Sequence, residues 1–495
     1  MLQKSSAGFG ALALAGLLGE EAKAAAPENP LSTRPPHFPP KAKRIIFLLM
    51  HGGVSQVDTF DYRPALQRDT GKPYPGKKPR IVSSATGNLV ASPYSFKQYG
   101  QCGQWASDIF PHIASMSDEL CFIKSMYGSN SRHGSALLEL HTGSDTFIRP
   151  SMGSWLNYGL GFENQNLPGY ITFKPTGTHG GMNAWSSAFL PSHFHGTQIG
   201  TKATPINKAK IPFIDNNGKP LSQQRRELDL LAQINQEHLS ERGHDDKLEA
   251  RINSFELAYR MQAAAPEIQN IDNESDVTKK LYGLDDPTTR DFGRQCLMAR
   301  RYSEAGVRFV QCSQGYWDAH GDLKKNHREI AGKVDKPIAG LLTDLKSRGV
   351  LDDTLVLWGT EFGRTPVGQG SDGRDHNPHA MTFFLAGAGV RSGIAYGSTD
   401  DHGYYSTENR VHFHDLHATI LHLFGLDHKR LTYHYAGRGI VITTLILTIG
   451  FCPFIFCQYF SLRILGTLLP LVLIVALLAD LLLLPALIRL RLLRF

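Results

Sequence analysis

Apolar residues fall along the chain in two rhythms. Short runs of four to seven, such as Arg44–Met50 (RIIFLLM), are bounded by charge on one side and glycine or histidine on the other. Runs of that length and bounding predict strands buried on both faces, as in a parallel sheet. Further strands are predicted over Leu120–Ile123, Phe309–Cys312, Thr354–Trp358 and Met381–Ala386. Between them lie segments with helical spacing. Helices are predicted from Ser135 to Leu140, from Ile338 to Ser347 and from Phe413 to Phe424. Leu221–Met261 is rich in Glu, Arg and Gln and predicts an exposed helical pair. Strands alternating with helices give the fold class, an α/β layered sheet with helices on both faces.

The two ends break this rhythm. Ala7–Gly19 is a short apolar run followed by small residues, which reads as part of a signal-like segment over 1–26. A Pro-rich linker follows over 27–41. At the other end, Ile440–Phe460 is uncharged and Ile464–Ile488 carries only Asp480. Each stretch is long enough to cross a bilayer, so 438–495 predicts a C-terminal transmembrane helical hairpin, with membrane association through 440–488. The signal-like segment places the large domain in the periplasm or outside the cell. Arg489, Arg491 and Arg494 argue for the opposite side.

Composition sharpens this division. The 495 residues carry a net charge of +7, and residues 438–495 contribute +4 of it. The remaining body is nearly neutral, which excludes a nucleic-acid footprint. None of the six cysteines shows CxxC spacing, so a zinc-thiolate site is excluded. Cys102 and Cys121 could pair in an exported protein.

The candidate chemistry lies at strand ends, where open α/β sheets bind ligands. His51, Ser55, Gln56, Asp58 and Asp61 follow the first strand. Asp318 and His320 follow the strand at Phe309. Glu361 and Arg364 follow Thr354–Trp358, and Arg374, Asp375, His376 and His379 come next. Carboxylates mixed with imidazoles suit zinc, manganese or iron better than calcium. Arg364 and Arg374 could hold an oxyanion bidentately. Asp58 and Asp61 could instead cap a helix.

Six motifs in order carry a resemblance: HGGVSQVDTFD, SRHGSALLELHTG, WDAHGD, GTEFGRTP, GRDHNPHAM and DLHATILHLFGLDHKRLTY. Over about residues 42–437 the chain resembles the domain-of-unknown-function family 1501, which is similar to the alkaline phosphatase and sulfatase superfamily. That resemblance implies an alkaline-phosphatase-like sheet with one or two divalent ions (zinc, manganese or similar). It implies hydrolysis of phosphate or sulfate esters, with a small-molecule or glycan ester as substrate. Asp318 and His320 match one metal's ligands, with His376 or His379 as its later histidine and Asp375 beside them. Glu361 stands at the second metal's carboxylate, followed by Phe362 where the superfamily has histidine, and His51 lies near the first-strand ligand. His133 and Ser131 lie near the nucleophile position, with Arg364 as the third candidate catalytic residue; Ser129 or a water molecule could also attack. The alternative is a degenerate, non-catalytic binding protein held at the membrane. Separately, GTLLPLVLIVALLADLLLLPALI resembles the last membrane helix of the resistance-nodulation-division exporters.

Overall fold

A computed structural model describes residues 31–77, 87–433 (without 179, 213, 215–217, 243–245 and 371), and 467, 468, 470–472, 474 and 475. The eight main sheet strands are β1 (Arg44–Met50), β2 (Cys121–Tyr127), β3 (Tyr170–Phe173), β4 (Thr197–Ile199), β5 (Phe309–Gln314), β6 (Thr354–Gly359), β7 (Met381–Ala386) and β8 (Ile394–Tyr396). They are ordered β8-β2-β7-β6-β1-β5-β3-β4, and the two-residue strand Val411–His412 pairs with β2. β1 runs parallel to both β5 and β6, while β7 runs antiparallel to both its neighbours. The carboxyl ends of β1, β2, β5 and β6 therefore share one edge of the sheet.

Both faces of β1 are buried, as its unbroken apolar run requires. Ile45, Phe47 and Leu49 join a core with helices α1 (His133–Thr142), α2 (Met152–Leu160) and α5 (Phe413–Leu423). Ile46, Leu48 and Met50 are buried on the opposite face. Helices α3 (Arg290–Glu304) and α4 (Leu323–Ser347) pack together, and α3 packs on β1 and β5. Each fully buried Leu or Ile contributes about 1.5–3 kcal/mol, so this double burial is what anchors the strand. On the β6–β7 side, the rings of Trp358 and Phe384 stack with centroids 5.1 Å apart, and Phe60 meets both edge to face.

The expected exposed pair forms two helices, Leu221–Arg242 and Asp246–Gln269. Two features differ from the sequence reading. Helix α4 runs through Pro337 and is longer than the stretch predicted from Ile338. Between β6 and β7 the chain also makes an antiparallel hairpin, Gly363–Gln369 with Gly373–Asn377. This hairpin stands at the carboxyl edge of the sheet and returns the chain antiparallel into β7. Cys102 and Cys121 are free thiols, so the expected disulfide is absent.

The chain divides into two units, Met1–Leu431 and Thr432–Phe495, and the sheet lies wholly in the first. Among the described residues no helix is long and apolar enough to cross a membrane. That finding corrects the expected membrane localisation, with its association through 440–488 and its transmembrane hairpin. Most of the stretch 438–495, and most of the exporter-like segment within it, lies outside the described residues, as does the signal-like segment 1–26.

Candidate metal centre

The site is built where four strands end. β1 terminates in His51-Gly52-Gly53, and the backbone turns sharply there. Gly52 has φ +122°, and a Cβ on it would lie 2.7 Å from the Asp318 backbone nitrogen. Only glycine allows this turn and this approach together. As a result the amide of Gly52 faces Glu361 and donates to both its carboxylate oxygens, at 2.9 and 3.1 Å. The Thr360 hydroxyl donates to the same carboxylate at 3.1 Å and accepts from the amides of Gly53 and Val54. Glu361 is fully buried, so these donors replace the water it has lost.

Two imidazoles face this carboxylate. His133 begins α1, and its Nδ1 is 2.7 Å from Glu361 Oε1. His51 Nε2 is 4.0 Å from the same oxygen. The other ring nitrogen of His133, Nε2, lies 3.2 Å from Asp318 Oδ2. Burial works against charge on His133, yet the hydrogen bonds to Asp318 and Glu361 prevail and raise its pKa to about 9. Burial likewise opposes charge on Glu361. The His133 hydrogen bond and the charges of His51 and His133 outweigh it, and the carboxyl falls to about 2.

Asp318 is the exposed hub, with 39% of its side chain accessible. Its Oδ1 lies 3.1 Å from His376 Nε2 and 3.0 Å from His320 Nε2, and accepts from Arg364 at 2.6 Å. Burial opposes its charge, but hydrogen bonds from His133 and His376 and the Arg364 charge hold the carboxyl far below the usual range. His376 is fixed from behind, its Nδ1 2.7 Å from the Ser131 carbonyl oxygen. His320 Nδ1 is 2.6 Å from the Gln369 side-chain oxygen on the hairpin. Asp375 is buried, and one of its oxygens accepts from the His376 amide.

Three sets of donor atoms are thus close enough to share an ion: His51, His133 and Glu361; His133, Asp318 and His376; and His320, Asp375 and His376. The atoms within each set lie within 4.8 Å of one another. Nitrogen and carboxylate donors of this kind fit zinc or manganese, and a fully buried carboxylate facing two imidazoles is a fitting cradle for one.

The other candidates sit elsewhere. His379 belongs to none of these sets among the described residues; its ring packs 5.1 Å from that of Tyr405. Arg364 is fully buried. Its guanidinium donates to the carbonyls of Gly52, Gly53 and Arg374 and to Asp318. Arg374 is buried and pairs bidentately with Asp58, itself fully buried, at 2.7 and 3.2 Å. Both arginines hold the scaffold together, so neither fork is presented to an oxyanion as expected, and Asp58 is an ion-pair partner with no helix-capping bond. The Ser129 hydroxyl donates to Glu139 at 2.7 Å, inside a local cluster with His412. Ser131 is half-buried two residues ahead of α1. Phe362 is fully buried beneath the histidines, its ring 4.4 Å from His376 and 4.9 Å from His133. The sequence reading missed Thr360 and Gln369, which orient Glu361 and His320. Neutral side chains of this kind carry no motif, and only their placement reveals them.

The family model described as a protein of unknown function, DUF1501, matches residues 42–446. No curated protein matches the chain in sequence. Among solved structures, the lipoteichoic acid synthase LtaP from Listeria monocytogenes is 12% identical with a TM-score of 0.34, covering 80% of this chain and 76% of that one. The PsFucS1 sulfatase from Pseudoalteromonas sp. is 14% identical with a TM-score of 0.33, covering 78% and 68%. A protein of the alkaline phosphatase superfamily from Vibrio parahaemolyticus is 11% identical with a TM-score of 0.36, covering 81% and 71%. Likeness at this level leaves the chemistry to be argued from the residues themselves.

Proposed function

The chain belongs to the DUF1501 family of proteins of unknown function, and from that premise and the site we propose a metal-dependent hydrolase of phosphate or sulfate esters, sulfatase-like in its chemistry. The observation that carries this reading is the convergence of His51, His133, Glu361, Asp318, His320 and His376 at one edge of the sheet. Glu361 with His51 and His133 would hold an inner ion, and Asp318 with His376, assisted by His320 and Asp375, an outer one. The missing histidine after Glu361 is then made good by His133, which reaches the same carboxylate from α1. A divalent ion there would supply Lewis acidity toward the ester oxygen and toward an attacking hydroxyl or water.

The chain's own groups prepare that chemistry. Gly52 and Thr360 hold Glu361 oriented in a dry setting, and His133 and His51 keep it ionised. Arg364 fixes Asp318 at the solvent edge, where a substrate can reach it. Ser131, tied through its carbonyl to His376, is the candidate nucleophile, with a water molecule as the other. The substrate class is a small-molecule or glycan ester.

Phe362 favours a second reading, a scaffold that binds an anionic ester without turning it over. One experiment separates the two. The full chain is purified with zinc or manganese, its metal content measured, and aryl sulfate and aryl phosphate hydrolysis assayed before and after chelation. The hydrolase reading expects bound metal and chelator-sensitive turnover abolished in Asp318→Ala. Near-zero metal content after that treatment would sink it, and metal binding without turnover would favour the second reading.

A further inference from the structure

A cavity of about 280 Å³ opens beside the candidate metal centre, at the carboxyl end of β5. Its walls include Lys174, Lys202, Lys333, Asp291, Gly315 and Tyr316. The one carboxylate among these is already engaged. Asp291 accepts from Lys174 at 2.6 Å with one oxygen and from the Ile206 amide at 2.8 Å with the other. Lys202 and Lys333 have no carboxylate partner among the described residues, so the lining is net positive. Lys202 Nζ stands 4.0 Å from the centroid of the Tyr316 ring, which holds the ammonium in place by a cation–π contact.

Gly315 joins this cavity to the metal centre. The point where its Cβ would stand is 3.4 Å from His51 Nδ1 and 3.7 Å from Lys202 Cε. A candidate ligand and a lysine of the cavity wall thus flank Gly315, and no side chain on Gly315 stands between them. A second cavity of about 350 Å³ shares Pro287 and Asp291 with the first, and Lys279, Arg290 and Arg294 line it together with Asp272.

We propose that this cavity is a subsite for a second anionic group of the substrate, so that the preferred ester is a polyanion with a further sulfate, phosphate or carboxylate beside the scissile one. The inference rests on the ester-hydrolase reading for the identity of the scissile group, and on the cavity alone for the second. Two lysines act as point charges without a fixed fork, which suits a tetrahedral or planar oxyanion alike. A neutral ester gains nothing here, because the lysines exchange water for no counter-charge.

The test measures equilibrium binding of a disulfated and a singly sulfated disaccharide to the metal-loaded full chain by calorimetry. The disulfated probe is expected to bind at least about tenfold more tightly, by more at low salt than at high salt. The Lys202→Ala/Lys333→Ala pair is expected to bring that ratio close to one, and Lys202→Glu to lower it further, with unchanged thermal melting. Equal affinities in the wild-type chain, or a ratio that survives both variants, overturns the subsite. The two readings fail separately. A chain that prefers the disulfated probe but hydrolyses no aryl ester loses the hydrolase reading and keeps the subsite. A chain that hydrolyses an aryl sulfate but shows no preference does the reverse.

Discussion

The inner and outer halves of the site are built from the same residue types but on opposite physical terms. Around Glu361 the carboxylate is fully buried and its hydrogen bonds come from the backbone of the β1 turn, from Thr360 and from His133. Around Asp318 the carboxylate is well exposed and its partners are side chains, Arg364, His320 and His376. The inner half is fixed by the sheet itself, since Gly52 and Glu361 follow paired neighbouring strands. The outer half depends on the hairpin Gly363–Asn377, which carries His376 and Gln369. A rigid dry half suits a permanent ion, and an accessible half suits the one that meets substrate.

The largest test of this contrast is Glu361→Ala. It removes the only carboxylate of the inner set and leaves Gly52 and Thr360 facing a gap. The expected outcome is loss of the inner ion and of measurable ester turnover; full metal content in the purified variant would erase the distinction between halves. Next comes Asp58→Ala. It strands the buried Arg374 charge inside the hairpin, and breaking a buried pair this way costs about 3–5 kcal/mol. Denaturant unfolding should show that loss, with the outer ion released before the inner one. Simultaneous loss of both would show that the hairpin supports the whole site.

The contrast also explains what was legible in the sequence. β1, β6 and β7 announce themselves as short, largely apolar runs, because strands buried on both faces are mostly apolar, while β5 (FVQCSQ) is legible only over its first residues. Their ends are glycine or polar, so the site edge was legible too. The hairpin was not: Gly363–Gln369 and Gly373–Asn377 are rich in polar residues buried by mutual pairing, and RTPVGQ has no strand alternation to read. Helix α4 was cut short because Pro337 reads as a boundary, yet buried side chains on both sides of it, such as Ile330 and Leu341, carry the helix through. Arg364 and Arg374 read as substrate forks from residue type alone. Only burial shows that their donors are spent on carbonyls and on Asp58 and Asp318.

A smaller effect is expected from Gln369→Leu. Gln369 meets His320 Nδ1 and so sets which nitrogen of that ring faces Asp318. Losing such an orienting partner typically costs about 10–100-fold in metal affinity or activity. The loss should appear in the outer ion's affinity and leave the inner ion untouched. An equal weakening of both ions would argue that the two halves act as one unit.

The smallest effect is on stability, and its sign differs on the two sides of neutrality. In the chelated protein His133 has a pKa raised to about 9, above its ordinary value near 6.5. Its contribution is fully present below about pH 6.5 and fades as pH rises toward 9. Glu361 is lowered to about 2, below the ordinary 4.5, so its contribution is present above about pH 4.5 and fades as pH falls toward 2. The chelated chain should therefore lose melting temperature between pH 6.5 and 9, and His133→Gln should flatten that limb. A bound ion needs His133 neutral and displaces its proton, so with zinc or manganese present the same limb should level out or rise. Identical alkaline limbs with and without metal would place the ion away from His133, and the inner half would then be a hydrogen-bonded scaffold beneath an outer centre.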